Sequence, residues 1–149
     1  MSPSTNCRNL IKRFESFRPK AYLCPAGIPT IGWGHTAGVT PDDVQQGRTI
    51  TEEQAEQLLD EDLARFSAAV SKAVSVDLSQ CQFDAVVSFA FNCKGWLQST
   101  LIHKLNMRDC LGASAEFPRW VHGNVNGKST VLPGLVTRRA AEQALFEAA

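Results

Sequence analysis

The chain has no excess of charge of either sign. Fifteen Lys and Arg balance fifteen Asp and Glu across 149 residues, and the sequence pI is near 6.8. A basic footprint of the kind that displaces counterions from phosphates is missing, so nucleic acid is excluded as the main partner. No apolar run reaches the length of about 18 residues that spans a bilayer. The first residues, from Met1 to Phe14, lack the basic-then-apolar order of a secretory signal. The expectation is a chain that stays in the compartment where it is made. The five cysteines, Cys7, Cys24, Cys81, Cys93 and Cys110, contain no CxxC pair, which removes zinc-ribbon and thioredoxin-type readings. Cys81 and Cys93 lie in an apolar run and read as small buried hydrophobes. What remains is ordinary globular material, 44% hydrophobic and 20% charged at 16.3 kDa, enough for one domain.

Helical periodicity dominates the chain. Residues 4–17 carry Cys7, Leu10, Ile11 and Phe14 on one stripe behind the N-cap types Ser4 and Thr5, with Pro19 as the stop. Glu15 follows Ile11 by one turn and so lies on or beside the buried stripe, an awkward place for a carboxylate. Residues 20–38 change character: the turn Pro25-Ala26-Gly27 separates two short apolar runs, which predicts a twisted hairpin, the only strand-like part of the chain. From Thr51 a long amphipathic helix runs through Ala55, Leu59, Leu63, Phe66, Val70 and Val74, opened by a capping-box pattern at Thr51 and Gln54. Its acids, Glu52, Glu53, Glu56, Asp60, Glu61 and Asp62, read as a solvated face. A second helix from Ser79 is apolar nearly all round and belongs at the centre of a bundle. Shorter helices are expected at 97–108, 113–122 and 134–147, with a loop from Gly123 to Thr130 before the last. The predicted organisation is a small mixed lobe over about 1–50, a connecting helix over about 51–75, and a helical lobe over about 76–149. Two lobes joined by one helix imply a cleft between them.

Glu15, Cys24 and Thr30 follow one another with eight and then five intervening residues. A carboxyl at the end of a half-buried helix is suited to donating a proton, because burial favours its neutral form. This spacing lies inside Ile11-Lys-Arg-Phe-Glu15-Ser-Phe-Arg-Pro-Lys-Ala-Tyr22 and is followed by Thr30-Ile-Gly-Trp-Gly-His35-Thr36. Together these residues resemble the signature of tailed-phage lysozymes, the endolysins of glycoside hydrolase family 24. Further blocks occur in the family's order at Phe91-Asn92, Ser99-Thr100-Leu101, Phe117-Pro-Arg-Trp120 and Pro133-Gly-Leu-Val-Thr-Arg138-Arg139-Ala-Ala-Glu142.

The resemblance implies an α+β, mostly α, lysozyme-like fold and hydrolysis of the β-1,4 bond between N-acetylmuramic acid and N-acetylglucosamine in peptidoglycan. Glu15 takes the general-acid position. Cys24 stands where the family commonly has Asp, and Thr30 is placed to orient water or the second-position side chain. An ordinary thiol ionises near about 8.5, so Cys24 offers little fixed charge at neutral pH. It acts either as a base toward water, giving inversion, or as a nucleophile, giving retention. His35, Thr36 and Trp96 are candidate substrate contacts, with a buried structural imidazole as the competing reading of His35 and interlobe packing as that of Trp96. Arg138 and Arg139 hold the last helix against the first or meet peptide carboxylates. No metal or organic cofactor is implied, because general acid catalysis needs neither. The implied partner is bacterial peptidoglycan, met by a monomer that waits in the host cytoplasm for a holin lesion and then acts on the wall. A lytic transglycosylase and a decayed peptidoglycan-binding module are the competing functions.

Overall fold

Side-chain caps fix where the helices begin. Ser4, Thr51 and Ser79 each accept a hydrogen bond from a backbone N–H in the first turn, and Thr51 and Ser79 complete capping boxes with Gln54 and Gln82. In the computed structural model, which describes residues 1–148, these caps open α1 (Thr5–Glu15), α3 (Glu52–Ala73) and α4 (Gln80–Asn92). Between α1 and α3 the chain forms β1 (Arg18–Leu23) and β2 (Pro29–Gly32), an antiparallel pair with a register irregularity between Arg18 and Tyr22, then the short α2 (Pro41–Gln45). After α4 come a 3₁₀ turn (Trp96–Gln98), α5 (Thr100–Asn106), α6 (Cys110–Glu116) and a second 3₁₀ turn (Phe117–Arg119). The chain ends with β3 (His122–Val125), β4 (Lys128–Val131) and α7 (Pro133–Glu147). The result is mostly α: a small lobe with a hairpin, a long central helix and a helical lobe.

Three expectations are corrected. The segment Gly123–Thr130, read as a loop, forms most of a second hairpin, because Asn126 and Gly127 both adopt positive φ (52° and 80°) and close a two-residue turn. Helix α1 ends at Glu15, four residues before Pro19, because Ser16 takes φ 57° and turns the chain into β1. Asp62 does not join the solvated face of α3. It is 2% exposed and turns inward to His35.

The core centres on α4, whose residues Phe83 to Ala90 are all buried. Phe89 meets Phe117 and Trp120 edge-on at centroid distances of 5.7 and 5.6 Å, and Phe117 leans on Phe146 of α7. Burying each such ring contributes about 1.5–3 kcal/mol. Two polar contacts tie α1 to this frame. Buried Asp84 of α4 accepts from the Ser4 backbone N–H (2.9 Å) and hydroxyl, and Arg8 and Lys12 pair with Glu56 of α3. The start of α1 is thereby fixed on α4 and its middle on α3. Among the described residues no helix is long and apolar enough to cross a membrane.

Candidate active site

Glu15 is the last residue of α1, and its side chain is 19% exposed. Two neighbours position it. Arg138 of α7 donates from Nη1 to Glu15 Oε1 at 2.7 Å. On the other side Gly34, at φ 70°, brings backbone so close that a Cβ there would stand 2.6 Å from Glu15 Oε2. Only glycine meets both demands, the left-handed backbone and the missing side chain. Glu15 opens into a cleft of about 260 Å³ lined with Phe14, Asn92, Leu132, Gly134, Leu135 and Arg138.

Arg138 is itself 3% exposed and is shared. Its Nε faces Glu142 Oε2 at 3.4 Å, and its Nη2 donates to the Ser88 carbonyl at 3.3 Å. Glu142 is fully buried; it accepts from Ser88 Oγ and from Arg139 Nη1, both at 2.5 Å. Arg139 also donates to the Trp120 carbonyl (2.8 Å) and to Asn92 Oδ1. Two guanidiniums therefore face the buried Glu142 carboxylate and the carboxyl of Glu15, so the charged groups of the cluster are partnered where they are buried. Arg138 joins the last helix to the first through Glu15, as the structural reading expects, whereas Arg139 ties the last helix to Trp120 and to Asn92 of α4.

Cys24 closes β1. Its N–H donates to the Ile28 carbonyl (3.0 Å) and its own carbonyl accepts from Gly27 (2.8 Å), so a tight turn presents a half-buried, free thiol. Thr30, 3% exposed on β2, donates its hydroxyl to the Ile28 carbonyl at 2.8 Å and keeps its lone pairs available. Opposite Thr30 in the ladder lies Tyr22, the chain's one tyrosine, with the Arg18 guanidinium 4.0 Å from its ring centroid. Burial raises the Tyr22 phenol above its ordinary value, and neighbouring Glu15 and Cys24 raise it further. Tyr22 thus has both the carboxyl and the thiol in its surroundings. Sequence reasoning passed over it, although its place two residues before Cys24 puts both on one face of a strand.

The other candidates separate from this group. His35 is 6% exposed, its Nδ1 lies 2.8 Å from Asp62 Oδ2, and its backbone pairs with Ile31 in both directions. The Asp62 hydrogen bond lifts the imidazole above its ordinary value against the opposing effect of burial. This burial and pairing support the structural reading of His35. Trp96 is 5% exposed within the helical core and offers no ring face to a sugar. Thr36 is exposed in the turn that follows His35, and like Cys24 and Thr30 it is not among the residues lining the cleft around Glu15. Cys81 and Cys93 are half-buried, whereas Cys7 is fully buried and its thiol is pushed up to about 12, chiefly by burial. Among the described residues no cluster of three or more His, Cys, Asp or Glu could hold a metal ion.

Known proteins share this arrangement of elements. The phage lysozyme family matches residues 12–142. An endolysin of Acyrthosiphon pisum secondary endosymbiont phage 1 is 50% identical over 142 residues, 94% of either chain. The endolysin of Salmonella phage P22 is 40% identical over 148 residues, 98% of either chain. The muramidase domain of SpmX from Asticaccaulis excentricus superposes with a TM-score of 0.86 at 36% identity, covering 98% of this chain and 97% of that one. With a match that takes in nearly the whole fold and close relatives of the same length, the chain belongs to the phage lysozyme family.

Proposed function

We propose that the chain is a phage endolysin, a muramidase that hydrolyses the β-1,4 bond between N-acetylmuramic acid and N-acetylglucosamine. The observation that carries the reading is Glu15 at the mouth of an interlobe cleft, clamped between the Arg138 guanidinium and the Gly34 backbone. Glu15 gives its proton to the glycosidic oxygen as the C1–O bond breaks and oxocarbenium character develops at C1. Arg138 fixes the carboxyl in place, while Glu142 meets the charge of the same guanidinium from another edge.

Cys24 deals with the other half of the reaction. As a thiolate it takes a proton from the water that adds to C1, and Thr30 orients that water through its free lone pairs. The water proton ends on sulfur and the Glu15 proton on the leaving sugar; transfer from the thiol through solvent to Glu15 restores the starting state. Direct attack by sulfur to form a thioglycoside is the other role open to Cys24. Water assistance is favoured by the resemblance to enzymes with Asp at this position. The burial of His35 and Trp96 favours their structural readings, and exposed Thr36 stays a candidate substrate contact.

Mass spectrometry of muropeptides released from purified peptidoglycan tests the reading. Hydrolysis leaves reducing muramic acid ends, each heavier by one water than the 1,6-anhydro ends of a lytic transglycosylase. Bound but uncut glycan would identify a binding module. The endolysin reading also carries an expectation about delivery, that a monomer is released from the host cytoplasm through a holin lesion. Expression in bacteria with and without a holin checks it, by whether lysis needs the second protein.

A further inference from the structure

The β3–β4 hairpin has no place in the core. Apart from Gly123 every residue of its two strands is exposed, including Val125 (42%) and Val131 (51%). A lone two-stranded ribbon is marginal in water, and this one is held by its Asn126-Gly127 turn and by a bond at its base from Leu132 N–H to the Val121 carbonyl (2.9 Å).

The register shows where the hairpin faces. Gly123 lies opposite Thr130 and Val125 opposite Lys128, so these four share one face. A side chain on Gly123 would overlap Leu132, which occupies that space and also lines the cleft beside Glu15 and Arg138. The face carrying Val125, Lys128 and Thr130 is therefore continuous with the cleft wall. Its charge is that of Lys128, which is exposed and has no acidic neighbour along the chain, since residues 117–141 contain no Asp or Glu.

We propose that this face of the hairpin binds the acidic peptide stem attached to muramic acid while the sugar backbone lies over Glu15; the inference rests on the muramidase reading and names the part of the substrate that the cleft alone does not reach. Lys128 meets a stem carboxylate, Val125 packs on the short aliphatic side chains, and Thr130 offers its hydroxyl to a stem amide. The dimensions agree. Lys128 stands four residues up the strand from Leu132, about 14 Å at the rise of a strand, and an extended stem of four residues spans about 13–14 Å.

The test titrates the ¹⁵N-labelled full chain with the free tetrapeptide L-alanyl-γ-D-glutamyl-meso-diaminopimelyl-D-alanine. Amide shifts concentrated in 122–131, lost in Lys128→Glu and weakened by salt, are expected. Shifts elsewhere, or none, overturn the proposal. In kinetics on intact peptidoglycan, Lys128→Glu is expected to raise KM about three- to tenfold with kcat unchanged, the range for reversing one exposed charge contact. An unchanged KM, or a fall in kcat alone, contradicts it. The two readings fail separately: a wild-type chain that cuts no glycan removes the muramidase reading, whereas the titration reports on the hairpin by itself.

Discussion

Gly34→Ala adds one methyl group where the backbone of the small lobe presses against Glu15. The new Cβ would stand 2.6 Å from Oε2, 2.9 Å from Cδ and 3.3 Å from Cγ of Glu15. An ordinary C···O contact is about 3.3–3.6 Å, so the carboxyl must retreat by about 0.7–1 Å. Its 2.7 Å hydrogen bond from Arg138 is then stretched or broken, a loss of about 1.5–3 kcal/mol for a charged pair. Alanine at φ 70° adds about 1–2 kcal/mol of backbone strain. The sum is about 2.5–5 kcal/mol, and for a chain of this size each kcal/mol lowers Tm by about 2–4 °C. Activity is expected to fall further than stability accounts for, because displacing a catalytic group by about 1 Å costs about 10²-fold in rate. The control is Gly38→Ala, at nearly the same φ (72°) but with nothing within 4 Å of the added Cβ. It shares the strain and leaves Glu15 alone. Initial rates of reducing-end release, measured well below both melting temperatures, separate the two effects. Wild-type kcat in folded Gly34→Ala, or an equal loss of rate in Gly38→Ala, would refute the reasoning.

Other predictions concern the buried imidazole and the thiol. Asp62→Asn removes the partner of His35 and is expected to destabilise the chain by about 2–3 kcal/mol in urea titrations near pH 6. Because the folded imidazole is raised above its unfolded value of about 6.5, its contribution is complete below that value and is lost as pH rises through the folded one. The difference between wild type and Asp62→Asn should therefore shrink from pH 5.5 to pH 9; a constant difference would speak against the charged pair. Cys24→Ser is expected to abolish glycan cleavage while Cys24→Asp retains it; loss of cleavage in both variants would favour covalent attack by sulfur. Iodoacetamide at pH 8 should label exposed Cys110 and half-buried Cys24, with a sharp loss of activity that persists in Cys110→Ala, and should label Cys7, raised to about 12, only on unfolding; rapid labelling of native Cys7 would contradict its burial.

Much of the scaffold was legible because it rests on burial and local caps. The stripe from Ala55 to Val74, the all-apolar body of α4 and the Pro25-Gly27 turn each announce one kind of element, and each forms it. The β3–β4 hairpin was missed for the opposite reason. Its Asn126-Gly127 signal is present, but both faces are exposed, so the flanking residues carry no alternation of apolar and polar types. Asp62 was hidden in a run of acids, although it stands three residues after Leu59 and beside Leu63, at the edge of the buried stripe. The candidate site was legible only in its local half. Glu15, Cys24 and Thr30 lie within sixteen residues, whereas Arg138 reaches Glu15 from 123 residues away, a contact no periodicity encodes. Trp96 allowed two readings, because a tryptophan beside a turn looks available to a ligand, and its burial in the core favours packing.

The central claim is that the Glu15 carboxyl supplies the proton that breaks the glycosidic bond. Glu15→Gln keeps the shape and a polar contact with Arg138 but has no acidic proton. Its rate of reducing-end release from peptidoglycan, compared with wild type on protein of matched melting behaviour, is predicted to fall by about 10²–10⁴-fold, the range for losing a general acid. A Glu15→Gln chain that folds and cleaves at the wild-type rate would contradict the account.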